Sequence, residues 1–322
     1  MERLPAFEIR RLRGRDVDDL VSLIVQSFAE EMALSRTGPE GVRSQVRAAL
    51  AAGTPPTSLV LGATGNVAEL WVASAGRELL GCYALHGRAE LTVSTVAVHP
   101  RNRRKGLGRL LMAHALERSR ELEARHVRLE VLADNAAAVG LYRSMGMREY
   151  DRRRSYSLQL LGRRARPLAP SRVALDRLRS THLAYWPAVF GDSVASEALV
   201  FEPVYRSDYL SNPASRWLDA YVPISRTHRH AVLENGRPVA FLCARSAGYP
   251  PSRAVEILPP LYLEEASAHL PYMLEALTAQ ASRDRPVTCR LYLSDLRPEG
   301  WQAASKLGYA YERTWLYMYC KL

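Results

Sequence analysis

Lysine is scarce in this chain, which holds only Lys105, Lys306 and Lys321 among its 322 residues. Lysine and arginine together number 44 against 33 acidic residues, so almost all of the formal charge of +11 comes from arginine. Arginine enrichment is typical of a GC-rich genome, such as many bacteria have, and the charge alone is a poor indication of a nucleic-acid or membrane partner. We therefore expect neither partner.

Cysteine is also rare, and long apolar runs are absent from the sequence. Its four cysteines lie far apart, without a C-x-x-C pair or histidines at zinc-finger spacing, so the sequence indicates neither a disulfide framework nor a structural metal site. No segment approaches the roughly 18 apolar residues of a membrane span, and the opening MERLPAFEIRRLRGRD lacks the apolar core of a signal peptide. We expect a globular protein in the cytoplasm, with no metal.

The second half of the sequence repeats the pattern of the first half. Residues 96–160 can be laid on residues 258–322 without a gap, at a constant offset of 162. The offset places the turn around Gly146 on the turn around Gly308, and it superimposes strand-like segments in which apolar residues alternate. Few residues are identical, but the agreement in pattern indicates an internal duplication.

A segment rich in arginine and proline separates the two copies. It spans residues 161–170 and has the composition of an exposed linker. We therefore predict a first domain over 1–160 and a second domain over 171–322, each of a common domain size.

The fold class follows from strands interspersed with helices. This order is typical of layered α/β (α+β) domains, here two in tandem, each with a mixed twisted sheet flanked by helices. The helix at 106–122 has a predicted apolar stripe formed by Leu107, Leu110, Leu111, Ala115 and Leu122. The first domain is predicted to contain a strand at 7–11, helices at 16–30 and 39–51, a hairpin at 68–86, a strand at 90–98, the helix at 106–122, a strand at 126–131, a helix at 135–145 and a strand at 152–160.

Glycines and cations cluster where the strand at 90–98 meets the next helix. Gly106 and Gly108 stand in the first helical turn, where each glycine costs roughly 1 kcal/mol relative to alanine. Close approach of a ligand to the backbone would explain them. The unpaired N–H groups of a helix N-terminus, its positive dipole end and the cations at 103–105 suit a pyrophosphate. An ordinary loop with a solvated basic cluster is the alternative interpretation.

Two motifs at a defined separation resemble the signatures of one enzyme family. The pattern Arg103-x-x-Gly106-x-Gly108 resembles the acetyl-CoA loop of the GNAT superfamily of N-acetyltransferases, and it does not match the P-loop or dinucleotide motifs. The segment from Asn135 through Tyr142 resembles the second signature of that superfamily. The resemblance covers residues 70–160, and the duplication extends it to a tandem pair of GNAT-like domains.

The resemblance implies that domain 1–160 is catalytic and binds acetyl-CoA as a co-substrate. The pantetheine arm would bond to backbone groups of Val96 and Val98, as an added strand does. An N–H group near Val98 would stabilise the negative charge that develops on the thioester oxygen. The residues so implied in cofactor binding are Val96, Ala97, Val98, Arg103, Arg104, Lys105, Gly106, Leu107, Gly108, Arg109, Asn135 and Tyr142.

The resemblance also implies direct transfer of an acetyl group to a primary amine, either a small molecule or a peptide amine. Tyr142 matches the tyrosine that protonates the departing thiolate. A carboxylate must accept the amine proton; Glu90 is the first candidate and Glu130 the second. A non-catalytic acyl-CoA-binding or regulatory module is the alternative function, because no motif marks the base.

The second copy lacks the cofactor motif. The offset places Glu265, Ala268, Leu270, Arg297 and Ala304 at the positions of Arg103, Gly106, Gly108, Asn135 and Tyr142. An anion then replaces a cation, and side chains replace both glycines. We expect the second domain to be a degenerate copy that shapes the acceptor pocket or supports a homodimer, and each chain to bind one acetyl-CoA.

Overall fold

The chain forms two compact units in the computed structural model. The first unit runs to Val131 and also contains Asn135–Arg148 and Met318–Leu322, while the second contains Leu132–Asp134 and Glu149–Tyr317. None of the helices among the described residues is long and apolar enough to cross a membrane. The structure describes residues 4–29, 32, 38–52, 67–87, 90–162, 164–209, 227–247, 254–281 and 287–322.

The first unit contains a mixed sheet with helices on both faces, which confirms the predicted fold class. Strands β1 to β5 lie in chain order, and all neighbouring pairs are antiparallel except the parallel pair β4 and β5. The elements are β1 Glu8–Arg11, α1 Val17–Ser27, α2 Pro39–Ala52, β2 Val67–Ala75, β3 Glu78–Gly87, β4 Glu90–Val98, α3 Leu107–Glu121, β5 His126–Leu132 and α4 Ala136–Ser144.

The two faces of this sheet pack against different helices. One core combines buried residues of α1 and α2 with Val72 and Cys82 of the sheet. On the other face α3 approaches so closely that a Cβ added at Gly81 would lie 2.9 Å from Leu111 Cδ1. The same Cβ would lie 2.7 Å from the backbone carbonyl oxygen of Ala97, which cannot move aside as a side chain can, and this explains the glycine.

One residue of the predicted apolar stripe on α3 was assigned wrongly. Leu107, Leu111 and Ala115 are buried, but Leu110 is 45% exposed. A helix turns by about 100° per residue, so Leu110 lies on the flank of the row that Leu107 and Leu111 define. Leu122 is half-buried, and Met112 and Leu116 complete the buried face.

The second unit has the same architecture and an equivalent strand order. Strand β12 pairs in parallel with β10. It also pairs in antiparallel fashion with β6, over the eight residues Val287–Ser294. Its elements are β6 Arg148–Leu160, β7 Val173–Arg177, α5 Trp186–Ser193, α6 Glu202–Tyr209, β8 Thr227–Glu234, β9 Arg237–Ala247, β10 Ala254–Ile257, β11 Leu261–Tyr262, α7 Leu270–Ala281, β12 Val287–Ser294, α8 Glu299–Lys306 and β13 Ala310–Lys321.

The elements of the two copies correspond at the offset of 162 residues. Helices α3 and α7, strands β5 and β12, helices α4 and α8, and strands β6 and β13 begin at matching positions to within three residues. The turns that follow α4 and α8 have the same left-handed backbone, with φ of 85° at Gly146 and 87° at Gly308.

The compact units depart from the predicted boundaries at the last strand of each copy. From Glu149 onward, β6 of the first copy belongs to the second unit, and Met318–Leu322 of the second copy belong to the first unit. Alternating strands have the same pattern whichever sheet they join, so periodicity cannot reveal such an exchange. Within 161–170, Leu161 and Leu168 are 86% and 95% exposed.

Candidate active site

The glycine-containing loop connects β4 to α3 in the first unit. Its first turn is a 3-10 helix over Pro100–Asn102, closed by a hydrogen bond from Asn102 N to His99 O of 2.8 Å. Arg103 folds back, and its Nε donates to Val98 O at 3.2 Å. These hydrogen bonds hold the loop against the end of β4 and so fix the position at which α3 begins.

The backbone conformation of the loop accounts for Gly106. Arg104 and Gly106 have φ values of 62° and 87°, in the left-handed region that glycine adopts without strain. Gly108 has a different environment, because a Cβ there would lie 3.4 Å from Leu141 Cδ2. The left-handed backbone accounts for Gly106, whereas a contact of 3.4 Å is ordinary van der Waals packing and does not by itself require a glycine at position 108.

The space and charge around this loop nevertheless fit a pyrophosphate. A Cβ added at Gly106 would meet nothing within 4 Å, so the space beside the backbone is open. The first N–H groups of α3 have no intrahelical acceptor and carry the positive end of its dipole. Arg103 and Arg104 are exposed and Lys105 is half-buried beside them, and Arg109 donates to Ser144 Oγ at 2.7 Å.

Strand β4 separates from β5 along the segment predicted to hold the pantetheine arm. Their described ladder joins Glu90–Thr92 with His126–Arg128 and goes no further. Val96, Ala97 and Val98 lie beyond it, so their backbone groups on that side are not used by β5. Exposed strand backbone of this kind can bind an extended ligand.

A bulge in β4 lies just beyond the part of the strand that pairs with β5, and nothing in the sequence predicts it. The register with β3 shifts between Cys82 and Ala84, and Thr95 has a φ of 53°. A β-branched residue in the left-handed region is strained, and strained residues and bulges are concentrated at functional sites. Threonine is a common strand residue, so its identity contains no signal of the bulge.

Asn135 and Tyr142 lie at the start and in the last turns of α4. Asn135 Oδ1 accepts a hydrogen bond from Ala138 N at 3.1 Å, so this residue is the N-cap of the helix. Tyr142 is only 7% exposed, and burial raises the pKa of its hydroxyl to about 12. The phenol is consequently protonated at neutral pH.

The two candidate carboxylates occupy different places along the strands. Glu90 is buried at the paired beginning of β4, where His126 Nδ1 lies 2.9 Å from its carboxylate. Burial raises the pKa of Glu90, and the neighbouring His126 opposes this shift. Glu130 is exposed and lies two residues beyond Arg128, where the two strands have begun to separate.

The corresponding region of the second copy is built differently. Pro259 and Pro260 stand at the positions of Ala97 and Val98, and proline has no N–H to offer a ligand. The cleft beside them has a volume of about 20 Å³, which accommodates roughly one water molecule. Tyr262 narrows this region and donates a hydrogen bond to Glu299 at 2.8 Å.

The described residues contain no cluster of histidine, cysteine, aspartate or glutamate that could hold a metal ion. The candidate groups of the first unit are backbone groups, cations, one buried tyrosine and the carboxylates already described.

Comparison with known proteins identifies the family of this site. Residues 53–147 match the family model described as acetyltransferase (GNAT) family. Over 70 residues the chain is 47% identical to the ribosomal protein bS18 alanine N-acetyltransferase of Salmonella typhimurium, which is 21% of this chain and 45% of that protein. The matched stretch thus spans less than half the length of this relative. Residues 53–147 belong to the GNAT acetyltransferase family.

Two solved structures share the fold over nearly the whole chain. A GCN5-related N-acetyltransferase from Sphaerobacter thermophilus has a TM-score of 0.63 at 14% identity, with 99% of this chain and 96% of that chain covered. A tandem GNAT protein from the clavulanic acid biosynthesis pathway has a TM-score of 0.59 at 16% identity, with 98% of both chains covered. The chain therefore has the fold of a tandem GNAT protein.

Proposed function

We propose that the first unit transfers an acetyl group from acetyl-CoA to a primary amine. The observation that carries this proposal is the geometry of β4, which stops pairing with β5 after Thr92, bulges at Thr95 and leads directly into the cationic loop and the first turn of α3. The loop would hold the pyrophosphate, and the exposed backbone of Val96 and Val98 would bind the pantetheine arm. This arrangement would bring the thioester near Thr95.

The chemical step is direct attack by the neutral amine. A bond forms between the amine nitrogen and the thioester carbonyl carbon, and the bond from that carbon to sulfur breaks. Backbone N–H groups near Val98 would stabilise the developing oxyanion. The Tyr142 hydroxyl would supply a proton to the departing sulfur, and its pKa of about 12 ensures that this proton is present at neutral pH.

We propose Glu130, not Glu90, as the base that accepts the amine proton, directly or through water. The register pairs Thr92 with Arg128, so Glu130 comes level with Ser94, next to the bulge at Thr95. Glu90 lies five residues before the bulge, or about 16 Å along an extended strand. Proton transfer requires contact or one bridging water, which favours the closer carboxylate.

The function is tested by acetyl-CoA binding and by thiol release with a panel of amines. The panel contains alaninamide, an alanine-initiated tetrapeptide and small diamines, since the relative from Salmonella typhimurium is named for acetylating an alanine. We expect acetyl-CoA binding and amine-dependent thiol release. Binding without turnover on any amine would favour a regulatory acyl-CoA-binding module, and absence of binding would refute the site.

A further inference from the structure

The face of β5 that carries Glu130 is unusually polar. Val127 and Leu129 are buried, while His126, Arg128 and Glu130 alternate with them on the opposite face. Glu130 is exposed, and the other two side chains are half-buried. If Glu130 accepts the amine proton, an acceptor must approach from this face.

Residues from the second copy extend this face. Leu322 N donates to Arg125 O at 3.1 Å, and the thiol of Cys320 interacts with the backbone of Val127. The residue numbers fall along β13 from Leu322 to Cys320 as they rise along β5 from Arg125 to Val127, so this end of β13 is antiparallel to β5. Tyr319 is therefore level with Arg128, and its ring lies 6.2 Å from the ring of His126.

Strand spacing sets the distance between Tyr319 and the proposed base. Glu130 lies two residues along β5 from Arg128, and Tyr319 lies one strand across from Arg128. The Cα atoms of Glu130 and Tyr319 are therefore about 8 Å apart. An extended peptide advances by about 3.4 Å per residue. A peptide whose terminal amine is at Glu130 would therefore bring its third residue to Tyr319, whereas an acceptor of one residue would not reach it.

We infer that Tyr319, contributed by the second copy, is a specificity-determining residue for peptide-like acceptors of at least three residues. This inference rests on the proposed function. Tyr319 is half-buried and is a large, rigid aromatic residue with a polar hydroxyl, which is well suited to packing on a peptide chain. The exchanged strand end would thus give the degenerate copy a role in recognising the acceptor.

The test compares Tyr319→Ala and Tyr319→Phe with the matched control Tyr311→Ala. Tyr311 lies in the same strand and is 55% exposed. Kinetics are measured with an alanine-initiated tetrapeptide and with alaninamide. Tyr319→Ala should raise the tetrapeptide KM about fivefold, the effect of losing one aromatic contact, and change the alaninamide KM less than about twofold. Tyr319→Phe should retain most of the wild-type affinity, and Tyr311→Ala all of it.

Tetrapeptide binding to the CoA-loaded chain gives a second measurement that does not depend on turnover. Weaker binding in Tyr319→Ala than in Tyr311→Ala supports the inference, even if no amine is acetylated and the proposed function fails. Equal changes in KM for both acceptors would mean general damage to the sheet and would overturn the inference. Unchanged peptide affinity, or absence of peptide binding to the wild-type chain, would also overturn it.

Discussion

The loop before α3 and the loop before α7 occupy equivalent positions in the two copies but have different structures. In the first copy, Gly106 takes a left-handed conformation and α3 begins directly after it. In the second copy, a 3-10 helix over Glu264–His269 runs without interruption into α7. An open turn at Gly106 thus corresponds to a continuous helical segment in the second copy, where Ala268 stands at the position of the glycine.

The turns that only support the scaffold have not diverged in this way. Gly146 and Gly308 have nearly the same φ. The hairpin glycines Gly76 and Gly236 are also both in the left-handed region, with φ of 61° and 82°. Both pairs end an element and reverse the chain, a requirement that is independent of ligands. The two copies therefore share their scaffold turns but differ in the loop before the helix α3 or α7.

The largest effect is expected from Gly106→Val, compared with Gly76→Val. Both glycines have a positive φ and open space around an added Cβ, so both variants carry similar backbone strain of about 1–2 kcal/mol. Only Gly106→Val should weaken acetyl-CoA binding, by at least about 100-fold, because its side chain would occupy the phosphate space. Calorimetry measures both affinities. Equal losses in the two variants would contradict the loop assignment.

A somewhat smaller effect should distinguish the two carboxylates. Glu130→Gln should lower kcat by about 100-fold at constant acetyl-CoA affinity, as for loss of a general base. Glu90→Gln serves as the control and should lower kcat less than about threefold, since it retains a hydrogen bond to His126. Steady-state kinetics with one acceptor decide between them. A larger loss in Glu90→Gln would restore Glu90 as the base.

Tyr142→Phe should lower kcat between about 10- and 100-fold and leave acetyl-CoA affinity unchanged. Burial raises the pKa of Tyr142 to about 12, so the acid keeps its proton as the pH rises through the neutral and mildly alkaline range. The wild-type kcat should accordingly show no alkaline decline attributable to Tyr142 up to pH about 10. An unaltered kcat in the variant would assign the tyrosine to the core alone.

The smallest effect is expected from restoring a glycine in the second copy. Ala268→Gly should create no acetyl-CoA site, because Pro259 and Pro260 still lack N–H groups and Glu265 still places an anion at the loop. Binding to a chain that also carries Gly106→Val measures this directly. Recovery of affinity in the double variant would show that the glycine alone separates the two copies.

The sequence predicted elements and motifs well, because these depend on local periodicity and on turn residues. The strand at 90–98 and the helices at 106–122 and 135–145 agree with β4, α3 and α4 to within about a turn. Asn135 caps α4, a position at which asparagine is strongly preferred. Residue 30, the last of the helix predicted at 16–30, lies outside the described residues.

The features that the sequence did not reveal depend on long-range pairing. The strained bulge at Thr95 arises from the register between β3 and β4, and the exchange of strand ends depends on which sheet each strand joins. The exposure of Leu110 and the position of Glu130 relative to Glu90 depend on the packing of whole elements. None of these is encoded in a short window of residues.

The most direct test of the account is the stoichiometry of acetyl-CoA binding to the full chain. Calorimetric titration should give one acetyl-CoA per chain in the wild type and none in Gly106→Val, because the second copy has lost its loop glycine and the backbone donors of Pro259 and Pro260. Two acetyl-CoA molecules per chain, or one that persists in Gly106→Val, would contradict the assignment of the site to the first unit.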